Sequence, residues 1–400
     1  MFTKTNKYLS QLQFHPGKIP FSNKEIQDLD QELSLYEKKF LNPDIEANLI
    51  SKNELFASFA ISKAEDSNLT LVQAQNIYKF IKDNRQWNLI EQKINNQEEL
   101  TQTDYEKLEY FNIIKTFRNL NQKPFKLADL SVDLLKDIHA QLTAGMDIFK
   151  EHIFQFEVYN SGHLRKNDNI KVGDYQPSPA KDLNRNITDF INWLKNNFTI
   201  TNVAIFHNAL YALHPFCNGN KRLCRVTEHI LYRLLNLNSK NTYSTSYYYH
   251  QFKPKYYKRL ISSLLQKDLT IFSSFIIEAL AMSILGVYKT SIEFQRMQFL
   301  EKNTSDSRQK KILKPLVKEK SLTYTNLHKR IKRKMAEQSF NNQLQKGVSQ
   351  GWVQKRKQGK SVFYSLNLDL AEEDLYLKRA KFVESKLGVL PVGYKPEPFL

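Results

Sequence analysis

Apolar side chains recur every three or four positions along most of this 400-residue chain. Ile26, Leu29, Leu33 and Tyr36, for example, share one face of a helix predicted over 23–39. With only 11 Gly and 12 Pro, the sequence has few of the turn residues that many short strands would require. The pattern therefore predicts a mainly α-helical protein.

Further helices are predicted over 69–88, 103–119, 132–143, 182–197, 202–213 and 220–235, with two more between 263 and 298. Ser131 is the expected N-cap of the third of these. Between 154 and 175 the pattern changes, because Gly162 and Gly173 flank alternating apolar residues around Ile170 and Val172. That alternation predicts a β-hairpin or flap.

The sequence predicts a soluble, cytoplasmic protein with no membrane span. Its best apolar stretch, 275–288, is interrupted by Glu278 and is shorter than the ~18 residues that a span needs. The N-terminus lacks the charged-then-apolar pattern of an export signal. Two cysteines are too few for a disulfide scaffold or for a cysteine-only zinc site.

The net charge of +18 is concentrated near the C-terminus. Residues 301–360 hold 17 basic and 4 acidic side chains, a net of +13, whereas 1–100 carry a net of −2 and 361–400 a net of −1. Because nucleic-acid binding requires clustered Lys and Arg, contact with DNA is expected only of this segment.

Residues 309–366 have the outline of a winged helix-turn-helix domain. Helices are predicted over 309–318, 323–332 and 339–350, with Pro315 shortening the first, and a two-stranded wing follows around Gly359. The expected divisions of the chain are an N-terminal helical region over 1–100, a central domain over 101–300, the winged helix over 308–368 and a tail over 369–400.

The segment from His214 to Arg225 carries the residues with the most chemistry. Pro215 ends one helix, because the residue before a proline is disfavoured in the helical region, and Gly219 precedes the next. The first N–H groups of that second helix have no partner within it and form an anion site. Arg222 and Arg225 share one helix face, and guanidinium groups suit phosphate oxygens. His214, at the break, is placed to act as a general base.

A purely structural interpretation of the same residues stays open at this point. A buried histidine at a helix corner, with arginines on a solvated face, needs no ligand. Cys217 and Cys224 are more simply packing residues than reactive thiols. The loop is not a Walker loop, because no Gly-Lys-Ser/Thr follows it.

The motif at residues 214–225, His-Pro-Phe-x-x-Gly-Asn-x-Arg-x-x-Arg, resembles the signature of the Fic/Doc family. The family usually has His-x-Phe-x-Asp/Glu-Gly-Asn-Gly-Arg-x-x-Arg. The resemblance extends over about residues 5–290 and implies a Fic helical bundle with a β-hairpin flap. It implies a protein adenylyltransferase, a nucleotidyltransferase that uses ATP and Mg²⁺. Such an enzyme moves AMP onto a Tyr, Thr or Ser hydroxyl of a target protein.

Carried over by position, the resemblance implies a role for each motif residue. His214 is the base that deprotonates the incoming hydroxyl, and Asn218 stands at the metal position. The nucleotide and its phosphates are assigned to Phe216, Gly219, Asn220, Lys221, Arg222, Arg225, Tyr256 and Tyr257. The flap that pairs with the target backbone is assigned to Lys171, Val172, Gly173 and Asp174.

Two departures from the family motif leave alternatives open. Asn218 replaces the usual acidic residue, and a neutral amide binds Mg²⁺ more weakly than a carboxylate. Lys221 replaces the last glycine, as in Doc-like members that transfer phosphate. A Doc-like protein phosphotransferase is therefore one alternative. The other alternative is a DNA-binding regulator with a weakly active Fic domain. A homodimer is the oligomeric state considered for any of these functions.

Residues 60–67 resemble the inhibitory helix of the family, Ser/Thr-x-x-x-Glu-Gly/Asn. Glu65 occupies the acidic position, but Ile61 stands where Ser or Thr is usual and Asp66 where Gly or Asn is usual. The resemblance implies that Glu65 pairs with Arg225 and so opposes productive ATP binding. A simple surface charge on a helix is the alternative.

Overall fold

The computed structural model describes residues 6–41, 43–65, 67–83, 87–152, 160–331, 335–370 and 372–390, without the side chains of Phe40 and Glu65. Helices dominate the described residues, and the only sheet among them has three strands, which confirms the predicted class.

Helices account for the first three quarters of the chain. They are α1 (Asn23–Phe40), α2 (Pro43–Ser62), α3 (Leu71–Lys82), α4 (Leu89–Asn95), α5 (Gln102–Gln122), α6 (Val132–Leu142), α7 (Leu183–Asn196), α8 (Ile200–Leu213), α9 (Asn220–Leu234), α10 (Thr245–Gln251), α11 (Lys253–Gln266) and α12 (Thr270–Asn303). Ser131 caps α6 as predicted, because its hydroxyl accepts the Leu134 N–H at 3.1 Å. A single-turn 3₁₀ helix, Lys63–Glu65, continues α2.

The core is built around α8 and α12. Every residue of α8 from Val203 to Leu213 is buried, so that helix has no solvent face. α12 has 34 residues and is long and apolar enough to cross a membrane, but 83% of its most apolar window is buried inside the protein. It is the central helix of the core, longer than the sequence pattern predicted.

The C-terminal elements are α13 (Ser307–Leu313), α14 (Pro315–Lys318), β1 (Leu322–Thr323), α15 (Tyr324–Ile331), α16 (Glu337–Ser349), β2 (Val353–Gln358), β3 (Ser361–Leu366) and α17 (Glu372–Leu387). Pro315 divides the first predicted helix into two, as expected of a residue that cannot donate a helical hydrogen bond. The strands form an antiparallel sheet in the order β1-β3-β2, and Gly359, at φ +58°, makes the turn between β2 and β3.

The two parts of the chain share α12. Its last turns supply Leu300 to the hydrophobic core of the C-terminal elements, and only residues 304–306 separate α12 from α13. The connection between the two parts is therefore short. Residues 372–387, which were expected in a tail, form α17. This helix packs against the core around α12, and its Phe382 contacts Phe21 in the segment before α1.

The predicted flap takes the form of a tight turn. Within residues 160–175, a single antiparallel bridge joins Val172 to Tyr175 through two backbone hydrogen bonds of 3.0 and 3.1 Å. Gly173 lies between them at φ +59°. Residues 154–159 of the predicted hairpin lie outside the described residues.

Candidate active site

The loop between α8 and α9 is shaped by a left-handed residue at each end. His214, the C-cap of α8, has φ +49°, and its N–H remains bonded to the last turn of that helix. Gly219, at φ +75°, precedes the first turn of α9. The positive φ favours glycine here, and a Cβ at position 219 would crowd the His139 ring, at 3.2 Å from its Nε2.

The side chain of Asn220 holds the loop closed. Its Oδ1 accepts the Phe216 N–H at 3.0 Å, and its Nδ2 donates to the Phe216 carbonyl at 2.8 Å. Phe216 is fully buried and stacks on the His139 ring at a centroid distance of 3.9 Å. Both side chains form the base of the loop, and the nucleotide contacts assigned to these two residues stay predictions.

His139 is a site residue that the sequence did not indicate. Its Nδ1 accepts the Gly162 N–H at 3.0 Å, so the ring proton lies on Nε2, which bonds the Asn218 carbonyl at 3.0 Å. Burial, assisted by the nearby Arg222 guanidinium, lowers the pKa of His139 to about 4. The ring is therefore neutral near pH 7 and joins α6 to the loop as a fixed donor and acceptor.

The loop and the flap meet at one cavity of about 570 Å³. Its lining includes His214 and Lys221 from the loop side and Lys171 and Val172 from the flap side. Asn218, Gly219 and Asn220 also line it, whereas Gly173 and Asp174 do not. The predicted base, the anion-binding end of α9 and half of the predicted flap thus share one space.

The two arginines of the motif lie outside that cavity. Arg222 is fully buried, and its Nη1 lies 2.9 Å from Oε1 of Glu109 in α5. A phosphate bound by Arg222, as predicted from the sequence, would therefore compete with the buried Glu109 carboxylate for the guanidinium. Arg225 donates to the Ala60 carbonyl at 3.1 Å and lies 4.6 Å from the centre of the Tyr256 ring.

The tyrosines predicted to form the base pocket differ in accessibility. Tyr256 is fully buried beside Arg225, so its ring is not available to stack on a base in this arrangement. Tyr257 is half-buried, and its hydroxyl lies 3.3 Å from Nζ of Lys221 and 2.5 Å from the Ala64 carbonyl. Side chains at successive helical positions point about 100° apart, so Tyr256 is buried while its neighbour Tyr257 is partly exposed.

Four donors converge on the C-terminal end of α2 and the turn that follows it. Arg225 bonds the Ala60 carbonyl, and Lys253 donates to the Lys63 carbonyl at 2.9 Å. Lys221 and Tyr257 both reach the Ala64 carbonyl. Helix C-termini carry partial negative charge, so they attract cations. The Glu65 side chain, predicted to pair with Arg225, lies outside the described residues.

Cys224 is buried within α9, whereas Cys217 of the loop is half-buried and lines the cavity. Burial raises the pKa of the Cys217 thiol and raises that of the Cys224 thiol well above its usual range. Both thiols are therefore protonated near pH 7, whereas the thiolate is the reactive form.

The donor set at the metal position does not suit a resident Mg²⁺. The amide oxygen of Asn218 accepts the Gly219 N–H at 2.6 Å and lies 3.4 Å from Nη2 of Arg222. Across the part of the chain that the structure describes, no group of three or more His, Cys, Asp or Glu residues could hold a metal ion. Mg²⁺ prefers carboxylate oxygens, and a guanidinium repels it.

The model of one protein family matches the part of the chain that contains the loop. The model of the Fic/DOC family matches residues 129–232, so this part of the chain contains a Fic domain. A protein of Aquifex aeolicus named a probable protein adenylyltransferase is 28% identical over 125 residues, which cover 30% of this chain and 35% of that protein. The match thus spans about a third of that relative.

Two solved structures are also similar. A Fic family protein from Desulfovibrio desulfuricans G20 is 16% identical with a TM-score of 0.49, covering 88% of this chain and 99% of its own. A fragment of Fic-1 from C. elegans is 16% identical with a TM-score of 0.48, covering 67% of this chain and 72% of its own. The assignment of the Fic domain rests on the match of residues 129–232.

Proposed function

We propose that the protein transfers AMP from ATP to a Tyr, Thr or Ser hydroxyl of a target protein. The observation that carries the proposal is the shared cavity, which is lined by His214, by flap residues and by the N-terminus of α9. His214 accepts the hydroxyl proton as the oxygen bonds to the α-phosphorus, and the bond to the β-phosphate breaks to release pyrophosphate. The name of the Aquifex relative supports the same reaction.

Phosphate binding is assigned to the cations and N–H groups around the cavity. The first turn of α9, whose N–H groups have no partner within the helix itself, and the Lys221 ammonium lie on the loop side. They offset the negative charge that shifts onto pyrophosphate as the bond breaks. Mg²⁺ is proposed to arrive bound to ATP, as part of the substrate, because the Asn218 oxygen does not suit a resident ion.

The flap is proposed to pair with an extended segment of the target. Val172 is bridged to Tyr175, and residues 169–171 before it line the same cavity as His214. Backbone pairing of this kind fixes the position of a hydroxyl without selecting a sequence, and positioning supplies much of the rate in transfer reactions.

A label-transfer assay tests the reaction class. The purified chain is incubated with ATP labelled at the α- or the γ-phosphate, and incorporation into protein is measured. Label from the α-phosphate alone supports AMP transfer. Label from the γ-phosphate alone would instead establish the Doc-like phosphotransferase, which the presence of Lys221 in the motif favours as the second candidate.

Autoinhibition is proposed to act through the end of α2. The carbonyls of Ala60, Lys63 and Ala64 already bind Arg225, Lys253 and Lys221, and two of these cations, Arg225 and Lys221, are predicted ligands of the ATP phosphates. A Glu65 carboxylate on the same turn would strengthen this competition, since paired charges with little solvent access are costly to separate.

Replacing Glu65 by glycine is therefore expected to raise α-label incorporation several-fold. The change removes the carboxylate and loosens the turn that holds Ala64, so Arg225 and Lys221 become available to phosphate. Glu99→Gly, at an exposed position outside any helix, is the matched control and should leave labelling unchanged. Equal or lower labelling in Glu65→Gly would refute the inhibitory role.

The C-terminal elements are proposed to form a winged helix that contacts DNA. The helices α13, α15 and α16 and the sheet order β1-β3-β2 support this assignment, and α16 exposes Asn341, Asn342 and Lys346. On β2, residues 354–358 are exposed and include three consecutive cations. Exposed amides and a basic wing suit base edges and phosphates respectively.

Neutralising the wing should weaken duplex binding and reduce its dependence on salt. Lys355, Arg356 and Lys357 are changed to Gln, and binding to a DNA duplex is titrated between 50 and 200 mM salt. The loss of about three phosphate contacts should lower the slope of log K against log salt by about 2–3. A control carries Gln at Lys24, Lys378 and Lys381, which are exposed elsewhere. An equal loss of DNA affinity in both variants would show that DNA responds only to the overall positive charge, and would contradict a specific role for the wing.

A further inference from the structure

Arg165 lies where the flap meets the end of α8, and it is only 3% exposed. Its Nε donates to the His214 carbonyl at 2.7 Å, and its Nη2 lies 3.4 Å from the Leu213 carbonyl. Its backbone N–H donates to the Pro215 carbonyl at 2.9 Å. Carbonyls at the end of a helix lack intrahelical donors, and here one arginine satisfies three consecutive ones.

The other edge of the same guanidinium contacts the flap segment. Its Nη1 donates to the Asn167 carbonyl at 2.7 Å and lies 3.2 Å from the Asp168 carboxylate, while its Nη2 bonds the Ser178 carbonyl. Asp168 also accepts the Ala180 N–H at 2.6 Å. Asn167 and Asp168 precede the flap residues 171–174, and Ser178 follows them. The Arg165 side chain therefore connects the chain on both sides of the flap to the end of α8, where the proposed base His214 lies.

The backbone of His214 needs this support. A residue other than glycine at φ +49° is less stable than in the helical or extended regions, and it persists only where its surroundings hold it. The bond from Arg165 acts on the carbonyl of His214 itself. That bond therefore fixes the peptide from which the imidazole projects toward the cavity.

We infer that Arg165 is the positioning residue of the proposed AMP transfer, fixing the direction of the His214 imidazole and its distance from the flap. The inference rests on the proposed function for its kinetic consequence. Arg165 does not line the cavity, so it acts on the substrate only through His214 and the flap. It should govern the rate of transfer to a docked hydroxyl and have little influence on ATP binding.

Lysine cannot replace this arginine. The guanidinium presents five N–H donors in one plane, and the contacts above use donors on all three nitrogens. A lysine ammonium keeps the charge but has three donors on one atom, which cannot reach both His214 and the flap. Arg165→Lys therefore separates geometry from charge.

The experiment compares Arg165→Lys with Arg185→Lys, a matched control at an arginine that is 65% exposed. For each variant, kcat and the KM for ATP are measured by α-label transfer. The His214 ring signal is followed by NMR on chains labelled at histidine Cε1, with assignment by loss of the signal in His214→Asn. We expect Arg165→Lys to lower kcat at least about tenfold, with the KM for ATP within twofold and a shifted His214 signal. Arg185→Lys should change none of these.

An unchanged kcat or an unchanged His214 signal in Arg165→Lys would overturn the inference, as would an equal rise in the KM for ATP. If Arg165→Lys does not fold, Asp168→Asn removes the flap-side charge at a side chain that is 61% exposed. It should lower kcat without changing the KM for ATP, and no change would likewise overturn the inference. If the wild-type chain transfers no label, the proposed function fails, and the His214 signal alone decides the positioning role.

Discussion

Replacing His214 by alanine is expected to lower α-label transfer by about 10²–10⁴-fold, the usual contribution of a positioned general base. His214 is the histidine that lines the cavity shared by the loop and the flap. The other histidines near the loop, His139 and His250, have pKa values lowered to about 4, chiefly by burial, and do not line it. No second imidazole in the described lining of that cavity can therefore take over the proton.

The left-handed backbone at position 214 requires a companion variant. Alanine is disfavoured at φ +49°, so His214→Ala changes the backbone as well as removing the base. Asparagine tolerates this conformation better and is not a general base. His214→Asn should therefore lose as much activity as His214→Ala. His15→Ala, at an exposed histidine away from the cavity, should retain wild-type transfer. Transfer that survives in both 214 variants would exclude His214 as the base.

Six helices, α1 and α5 to α9, begin and end within three residues of the predicted limits. In α1, α6 and α7 an apolar stripe marks the helix, whereas α8 and α9, which are buried on most sides, are delimited by Pro215 and Gly219 of the loop between them. α2 was not predicted over most of its length. Its buried residues include Lys52, Asn53 and Ser58 as well as leucines and phenylalanine, so burial on more than one side leaves no simple apolar stripe.

The loop motif indicated which residues gather at the cavity but not which of them support it. Asn220 and Arg222 have the residue types of phosphate ligands, yet their partners in the fold are the Phe216 backbone and the Glu109 carboxylate. Those partners depend on where α5 packs, which no local pattern encodes.

The supporting residues Arg165 and His139 lie 49 and 79 positions from their loop partners His214 and Asn218. The one local signal for His139 was its place on the apolar face of the helix predicted over 132–143. A histidine on the apolar face of a helix is expected to be buried whatever its role, so this signal did not indicate a site residue.

Removing the Glu109 carboxylate should destabilise the fold more than any surface change of charge. Arg222 and Glu109 are 0% and 2% exposed and lie 2.9 Å apart, joining α9 to α5 directly beneath the loop. In Glu109→Ala the guanidinium stays buried without its carboxylate, and breaking a buried pair in this way costs about 3–5 kcal/mol. We expect a loss of that size in the free energy of unfolding, measured by urea denaturation.

The exposed pair Lys24–Asp28 provides the matched control. Its side chains are 84% and 51% exposed at 3.5 Å, so Asp28→Ala should cost less than about 1 kcal/mol. The double variant Glu109→Leu/Arg222→Met removes both charges and should recover most of the stability lost in Glu109→Ala, because no unpaired ion remains. Recovery of folding without recovery of label transfer would separate the two roles of Arg222, in stability and in the loop. A loss below about 1 kcal/mol in Glu109→Ala would show that Arg222 finds another partner, and the loop would then not depend on α5.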